Sequence, residues 1–222
     1  MSIDNTAKIV AITKPFIENI NTAEEFIAYC ARVSNPSNQM NTETSEKLLK
    51  YCIKNKHFSI FEMVTIVMQI DTTRDIARQI LRHRSFSFQE FSQRYADPTE
   101  DLGFVTREAR LQDTKNRQNS IATDDKTLQD TWRVIQDQYI TQAKIDYQWA
   151  IDHGIAKEQA RAILPEGLTK SRIYMSGTLR SWIHYVELRS ANGTQKEHQE
   201  VALAAKSQLL DNFNFLNAVW EE

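Results

Sequence analysis

The sequence predicts a helix-rich α+β fold, with one domain spanning residues 1–222 and a small, mostly antiparallel sheet. Three observations support this prediction. Glycine and proline are scarce, at five and four residues, which favours long helices over many short strands joined by turns. Most segments place apolar residues at helical spacing, whereas only two short segments look like strands. No repeat, low-complexity tract or linker divides the chain.

The two strand segments lie in the first third of the sequence. Residues 8–12, with the sequence KIVAI, predict a short strand. In residues 64–70 every second residue is apolar, which predicts a strand with one buried face. Residues 71–73, Asp-Thr-Thr, supply a cap for the helix that follows.

Helices account for the remaining N-terminal segments. Residues 22–25 form a capping box and open a helix that ends before Pro36. A second helix is predicted over residues 43–55. The residues expected to face the core from these two helices are Phe26, Tyr29, Cys30, Val33, Leu48, Leu49, Cys52 and Ile53.

The C-terminal half begins with a polar segment. Residues 96–126 carry weak periodicity and predict a surface excursion. A long helix then starts near Leu128, with Gly154 just past its end. Further helices are predicted over 156–164 and 176–190, and a second capping box at 194–197 opens the last one. The residues that carry the helical pattern of the long helix are Leu128, Trp132, Ile135, Tyr139 and Ala143.

Composition excludes several classes of protein. Lys plus Arg number 27 and Asp plus Glu 29, so the overall field does not suit a protein that coats nucleic acid. The N-terminus lacks the features of a signal peptide, and no run of 18 apolar residues is present. Cys30 and Cys52 form neither a disulfide framework nor a ligand motif, so we expect reduced thiols, no metal site and a cytoplasmic location.

One stretch, LRHRSFSFQEFSQRY at residues 81–95, concentrates positive charge. Arg74, Arg78 and Arg82 lead into it at a spacing of four, and Asp75 is the one acid nearby in sequence. Like charges at this spacing repel one another on a helix, and a bound anion would relieve the repulsion. A solvated cationic face is the simpler interpretation of such a stripe.

Two functions fit this stretch. The sequence has no glycine-rich nucleotide loop and no nucleophile elbow, so a bound nucleotide would have to be held by side-chain cations. Alternatively, the arginines and the rings of Phe86, Phe88, Phe91 and Tyr95 could bind single-stranded nucleic acid.

Residues 82–94 fit the pattern RHRxxSxxxxSxR, which resembles the signature of the flavin-dependent thymidylate synthases. Three other blocks are similar to segments of that family. These blocks are His57–Glu62, Arg161–Pro165, and a C-terminal group made of Arg180, His184, Leu188, Arg189, Gln195 and Glu197. Together the similar segments extend over most of residues 8–210.

The resemblance implies FAD as cofactor, dUMP as substrate, NADPH and methylenetetrahydrofolate as co-substrates, and a homotetramer with shared active sites. It also implies the following site residues. Those expected at FAD are Ser59, Glu62, Arg82, His83, Arg84, Glu90, Thr178, Arg180 and His184. Those expected at dUMP are Gln79, Arg82, Glu90, Phe91, Ser92, Gln93, Arg94, Arg161 and Arg189. His57 and Tyr95 are expected near the folate and NADPH.

The implied chemistry assigns roles to two catalytic candidates, Arg189 and Ser92. Neither cysteine lies in an electropositive motif, so a thiolate nucleophile is not expected. Arg189 would instead stabilise negative charge on the uracil and so activate carbon 5. No motif places a base beside Ser92, which predicts a positioning role for it. The reduced flavin would supply the hydride, and folate would leave as tetrahydrofolate.

Overall fold

The computed structural model describes residues 5–220, and an antiparallel sheet lies at its centre. The strands are β1 (Thr6–Ile12), β2 (Thr65–Thr73), β3 (Ser87–Glu90), β4 (Arg110–Gln112), β5 (Ser120–Ala122) and β6 (Lys170–Thr178). Four of them form the main sheet in the order β1-β2-β6-β3, whereas β4 and β5 form a separate pair.

The described residues form nine helices. They are α1 (Ala23–Ala31), α2 (Ser45–Lys54), α3 (Arg74–Ile80), α4 (Pro98–Asp101), α5 (Lys126–Asp152), α6 (Lys157–Ala160), α7 (Leu179–Ser190), α8 (Lys196–Asn212) and α9 (Asn217–Trp220). Of these, α3, α7 and α8 pack against the main sheet. Short 3-10 turns occupy Pro36–Asn38, Phe58–Met63, Arg161–Ile163 and Asn214–Leu216. The predicted class, helix-rich α+β with a small antiparallel sheet, is confirmed.

The core is formed by the alternating residues of β2 and β6. The predicted alternation at 64–70 is confirmed, because Val64, Ile66, Met68 and Ile70 are fully buried. They pack with the apolar residues of α3, α7 and α8 in one cluster. The burial of these side chains contributes roughly 1.5–3 kcal/mol each to stability.

The sequence prediction missed β3 and β6. The buried face of β6 includes Ser171 and Gly177, so its alternation of apolar and polar residues is weak. β3 has only four residues, which is too short for a periodic pattern to be recognised. The predicted helix at 176–190 therefore begins later, at Leu179.

The two predicted capping boxes have different outcomes. In the first, Thr22 Oγ1 accepts a hydrogen bond from the backbone N–H of Glu25, and the Glu25 carboxylate accepts one from that of Thr22. The second is wrong, because Gln195 is the residue that precedes α8 and its side chain makes no cap hydrogen bond. Glu197 is drawn instead into a buried ion pair with Arg110.

The predicted inward face of α1 is also partly wrong. Ile27 and Ala28 are its fully buried residues, whereas Val33 lies beyond the helix and is 68% exposed. The prediction for α2 holds, because Leu49, Cys52 and Ile53 are buried there.

The polar segment at 96–126 is more ordered than a surface excursion. It contains α4 and the β4–β5 pair, and Phe104 forms a bridge with Thr169 at the start of β6. Val105 and Ala109 within it are buried. Polar side chains fix this backbone, for example Gln136, whose amide bonds both the N–H and the C=O of Arg107. Periodicity does not detect order of this kind.

The predicted long helix is confirmed as α5, and most of the apolar side chains that carry its helical pattern are exposed. Its exposed fractions are 39% for Leu128, 41% for Trp132, 38% for Ile135 and 67% for Tyr139, while Ala143 is buried. We call the first four residues the α5 stripe. Gly154 follows the helix with a positive φ of 78°, as predicted for a terminating glycine. Although α5 has 27 residues, no helix within 5–220 is apolar enough to cross a membrane.

Candidate active site

The Arg82–Arg84 run lies in a turn after α3 and not on the helix itself. α3 ends at Ile80, so Arg82 does not extend the helical stripe of Arg74 and Arg78. Phe86 then enters the core and packs against Gly177 so closely that a Cβ there would lie 2.3 Å from the ring. This anchor turns the run, leaving the arginines exposed and His83 half-buried.

Five polar side chains meet where α3, α7 and α8 pack together, and we call them the imidazole cluster. They are Gln79, His83, Tyr185, Arg189 and His198. Arg189 Nε donates to His83 Nε2 at 2.9 Å, and the His83 ring lies edge-on to Tyr185 with centroids 5.0 Å apart. His198 contacts Tyr185 Oη at 3.1 Å and Gln79 Oε1 at 3.2 Å.

This cluster unites three residues predicted from the sequence with two that were missed. Gln79, His83 and Arg189 were expected at the site, and the fold places them together. Tyr185 and His198 were not assigned a role, because each looks like an ordinary buried position of a helix. Only the packing of α7 and α8 against α3 and the turn after it shows that Tyr185 contacts His83 and that His198 contacts Gln79.

Both histidines are held in the neutral form. Burial, followed by the nearby Arg189 guanidinium, lowers the pKa of His83 to about 4. The same two causes lower the pKa of His198 to about 3. Since an arginine is always a donor, His83 Nε2 must accept the bond from Arg189, and the His83 proton resides on Nδ1.

A second group surrounds Glu90 at the end of β3. Its carboxylate accepts a hydrogen bond from Ser171 Oγ at 2.8 Å and lies 3.5 Å from Arg74 and 3.8 Å from Arg78. Arg78 also pairs with Glu166 at 3.2 Å. We call these residues the Glu90 cluster. The expectation that Asp75 alone balances the arginines is wrong, because acids distant in sequence meet them.

Asp75 has a different partner. Its carboxylate accepts hydrogen bonds at 2.7 and 2.9 Å from Arg107, in the segment predicted to be a surface excursion. Arg161, predicted at dUMP, lies near enough to Arg74 to contribute to the lowering of its pKa, which burial dominates. Arg161 therefore belongs beside the Glu90 cluster.

The rest of the signature follows β3 as an irregular segment. Ser92 Oγ accepts a long hydrogen bond, at 3.4 Å, from the backbone N–H of Arg94. Arg94 is exposed and lies 3.7 Å from Glu158. Gln93 is 3% exposed, yet its amide nitrogen has no partner within residues 5–220. An unsatisfied buried donor of this kind is available to an acceptor on a ligand.

A third group lies at the other end of β6. Glu62 forms an ion pair with Arg180, and both line a cavity of about 470 Å³ together with Ser85 and His184. Thr178 caps α7 by accepting a hydrogen bond from the backbone N–H of Ser181 at 3.2 Å. We call this the α7 cavity.

The remaining predicted residues lie around these groups. His57 and Ser59 are exposed at the 3-10 turn beside the α7 cavity, where the ring of His57 meets Tyr51 edge-on. Phe91 is half-buried, and its backbone N–H donates a hydrogen bond to the backbone carbonyl oxygen of Arg172 at 2.9 Å. Tyr95 is 83% exposed.

Comparison with known proteins decides the family. Residues 16–213 match the family described as thymidylate synthase complementing protein. The chain belongs to this family. The resemblance inferred from residues 82–94 is thereby confirmed.

Relatives of high identity carry consistent names. A probable flavin-dependent thymidylate synthase of Paramecium bursaria Chlorella virus 1 is 52% identical over 208 residues, covering 94% of this chain and 95% of the relative. A flavin-dependent thymidylate synthase of Synechocystis is 48% identical over 218 residues, covering 96% and 98%.

A solved structure shows the same fold. It is a UMP/dUMP methylase, PolB, from Streptomyces cacaoi bound with 5-Br dUMP. Its TM-score is 0.80 at 22% identity, and the match covers 97% of this chain and 94% of that one. At this identity the likeness concerns the fold alone.

Two of the groups of predicted site residues lie at opposite ends of β6. Ser171, beside the Glu90 cluster, and Thr178, beside the α7 cavity, are seven residues apart on one strand. At about 3.3 Å per residue they are separated by roughly 23 Å. In one chain, Glu90 and Arg161 therefore lie far from Thr178, whereas the expected nucleotide residue Arg189 donates a hydrogen bond to the expected flavin residue His83.

The alternative of a nucleic-acid module is not supported by the side-chain positions. Phe86 is buried against Trp182, with ring centroids 4.9 Å apart, and Phe88 packs against the same core. Stacking platforms must expose their faces to the bases. Of the four proposed rings, Tyr95 is the one that the structure leaves largely exposed.

Proposed function

We propose that this chain is a flavin-dependent thymidylate synthase that methylates dUMP to dTMP. Methylenetetrahydrofolate donates the carbon, NADPH is the reductant, and FAD, when bound, supplies the hydride. Family membership and the names of the relatives support the reaction class. The observation that carries the proposal is the hydrogen bond between Arg189 and His83. It holds a guanidinium that can activate carbon 5 of the uracil without a cysteine nucleophile.

Arg189 is suited to stabilise negative charge on a pyrimidine. Its Nε is occupied by His83, which fixes the plane of the guanidinium. Within residues 5–220 its two terminal nitrogens have no hydrogen-bond partner, so both can face a ligand. A charge held on rigid helix α7 needs little reorganisation during reaction, which is the condition for effective electrostatic catalysis.

The cysteines are poorly suited to nucleophilic catalysis. Burial raises the pKa of both thiols, and neither forms a disulfide. A raised pKa leaves little thiolate at neutral pH, and the thiolate is the nucleophilic form. Activation of carbon 5 by Arg189 is therefore the route that this chain supports.

The nucleotide would be held by the segment after β3 and by the Glu90 cluster. Arg94 and Arg161 offer the planar donors that suit a phosphate. The amide nitrogen of Gln93, which is buried and has no partner within residues 5–220, could donate a hydrogen bond to an oxygen of the nucleotide. Ser92 contacts no base in the described chain, which supports positioning rather than attack.

The α7 cavity and the exposed arginines fit an anionic dinucleotide. Arg180 and His184 line the cavity, and Arg82 and Arg84 are exposed on the turn after α3. Arginine clusters suit pyrophosphate oxygens because the guanidinium forms paired hydrogen bonds. These residues, with Ser59 and Glu62, are the ones we assign to FAD. His57 and Tyr95, both exposed, remain assigned to the folate and NADPH.

We further propose that the enzyme is a homotetramer with shared active sites. The distance along β6 between the Glu90 cluster and the α7 cavity supports this, because hydride transfer requires reacting atoms about 3–3.5 Å apart. The exposed α5 stripe supplies an apolar surface that a second copy would cover. The cytoplasmic location and the single-domain organisation remain predictions.

The direct test is to assay the purified protein for flavin absorbance and for dTMP formation. We expect a yellow protein that forms dTMP only with dUMP, methylenetetrahydrofolate and NADPH all present, and that releases tetrahydrofolate. Release of dihydrofolate would contradict flavin as the reductant of the methyl group. A colourless protein that takes up no FAD and binds single strands with steep salt dependence would favour the nucleic-acid module.

A further inference from the structure

A continuous line of hydrogen bonds connects the imidazole cluster to a buried acid on α8. It runs from Tyr185 to His198, then Gln79, Gln195 and Glu197. Gln79 Nε2 donates to Gln195 Oε1 at 2.7 Å, and Gln195 Nε2 donates to Glu197 Oε2 at 2.9 Å. We call these five residues the relay. Four members lie on α7, α8 or the turn before α8, and Gln79 lies on α3.

Glu197 is the fixed end of the relay. It is 5% exposed and forms an ion pair with Arg110. Burial acts to raise the pKa of Glu197, but backbone and side-chain hydrogen bonds and the charges of Arg107 and Arg110 outweigh it, so the net pKa is lowered. An ionised carboxylate has no hydrogen to donate and can only accept.

That acceptor sets the direction of every bond in the relay. Gln195 must turn its NH₂ toward Glu197, which leaves its oxygen to accept from Gln79. The oxygen of Gln79 then faces His198, so His198 must donate from Nδ1. The Nε2 of His198 is therefore unprotonated and accepts from the Tyr185 hydroxyl.

We propose that Glu197 and His198 are positioning residues that fix the amide of Gln79 so that a hydrogen-bond donor faces the substrate. This rests on the proposed function, in which Gln79 contacts dUMP. One hydrogen of Gln79 Nε2 is used by Gln195, and within residues 5–220 the second has no partner. The nucleotide group that Gln79 recognises is then an acceptor oxygen.

An amide free to rotate would offer its oxygen as readily as its nitrogen. The relay removes this ambiguity, because reversing Gln79 would place its oxygen against that of Gln195 and its NH₂ against the Nδ1–H of His198. Two partly buried hydrogen bonds would be lost at once. The orientation of the Gln79 amide is therefore set by the carboxylate of Glu197, although the two side chains are not in contact.

The first test is nitrogen NMR on flavin-loaded protein labelled with ¹⁵N-histidine. We expect His198 to show a protonated Nδ1 and an unprotonated Nε2, with its signal assigned by loss in a His198→Asn variant. This measurement needs neither substrate nor turnover. The opposite tautomer, with Nε2 protonated, would overturn the direction of the relay and the proposal with it.

The second test compares two substitutions of His198. Asn places a donor near the position of Nδ1, whereas Gln places its amide near Nε2 and loses the bond to Gln79. We expect His198→Gln to weaken dUMP binding by roughly tenfold, as for one lost buried hydrogen bond. His198→Asn should lose less, while flavin content stays the same in both. His153→Gln, at an exposed histidine, is the matched control.

Equal losses in the Asn and Gln variants would overturn the positioning role, because bulk packing at His198 would then explain both. Glu197→Gln adds a further check, since an amide at the end of the relay no longer dictates its direction. We expect this variant to mix the two His198 tautomers. If wild-type protein binds no dUMP, the proposed function fails, whereas the tautomer still decides the direction of the relay.

Discussion

Arg189 Nε lies 2.9 Å from His83 Nε2 and donates a hydrogen bond to it. The two residues are 106 positions apart, one in the signature and the other on the last turn of α7. The contact requires a neutral imidazole, and burial beside the guanidinium provides one. The hydrogen bond therefore gives Arg189 a place in the imidazole cluster, in addition to any role as a cation at the end of α7.

The first prediction concerns Arg189. Arg189→Ala should retain flavin but lower the rate of dTMP formation by about 10²–10³, because one stabilising donor to a developing charge is lost. Arg189→Lys keeps the charge without the planar fork and should recover only part of the rate. The measurements are flavin absorbance, NADPH oxidation and dTMP yield.

Near-wild-type dTMP formation by Arg189→Ala would contradict a catalytic role and would show that Arg189 acts only as a cation at the end of α7. A cation at a helix C-terminus contributes roughly 0.3–1 kcal/mol, so the thermal midpoint should change little in either case. Arg133→Ala, at an exposed arginine of α5 paired with Asp130, is the matched control for loss of a guanidinium.

The second prediction concerns Ser92. Ser92→Ala should reduce turnover without abolishing it, because its hydroxyl contacts a backbone N–H and no general base. Steady-state kinetics with dUMP should show a kcat that is lower than in the wild type but still measurable. Isolation of a covalent adduct between Ser92 and the nucleotide would contradict a positioning role.

A third prediction concerns the cysteines. Replacement of both Cys30 and Cys52 by alanine should leave dTMP formation largely intact, since burial raises the pKa of both thiols. Cys52 is 6% exposed, so a lower thermal midpoint is expected from the lost packing. Loss of turnover with normal folding and flavin content would show that a thiol takes part.

The fourth prediction concerns acid stability. His83 and His198 have lowered pKa values in the folded state, about 4 and about 3, against an ordinary value near 6.5. Below pH about 6.5 the unfolded chain therefore binds more protons than the folded chain. The free energy of unfolding should fall as pH drops from about 6.5 toward 4.

Urea unfolding at several pH values measures this dependence. His83→Asn should make the decline shallower, because one of the two contributing groups is gone. His153→Gln, at an exposed histidine, should leave the slope as it is in the wild type. An unchanged slope in His83→Asn would show that other groups cause the acid sensitivity.

The fifth prediction concerns the α5 stripe. Trp132→Glu combined with Ile135→Glu should convert the proposed tetramer into smaller species, because charge would be buried at the contact between copies. Light scattering coupled to size exclusion measures the mass. Thr141→Glu, on the opposite side of α5, is the control and should leave the mass unchanged. A monomeric wild-type protein would rule out a tetramer held by this surface.

The sequence by itself determined the local features. Alternation at 64–70, the first capping box and Gly154 follow from interactions between neighbours along the chain, and all three are present. The motif at 82–94 also indicated the family without any structure, because it fixes residue types at fixed spacing. The stripe of α5 was predicted as helical, but periodicity could not show which side meets the core.

Only the tertiary structure decided which distant residues meet. Arg189 contacts His83, Glu90 balances Arg74, and Glu197 fixes Gln79 through Gln195. Each pair is formed because sheet pairing or helix packing brings separate segments together, and one sequence carries no record of that proximity. The strand β6 was missed for the same reason. Its buried Ser171 lies opposite β2 and its buried Gly177 packs against Phe86, and neither neighbour can be inferred from the sequence of β6 alone.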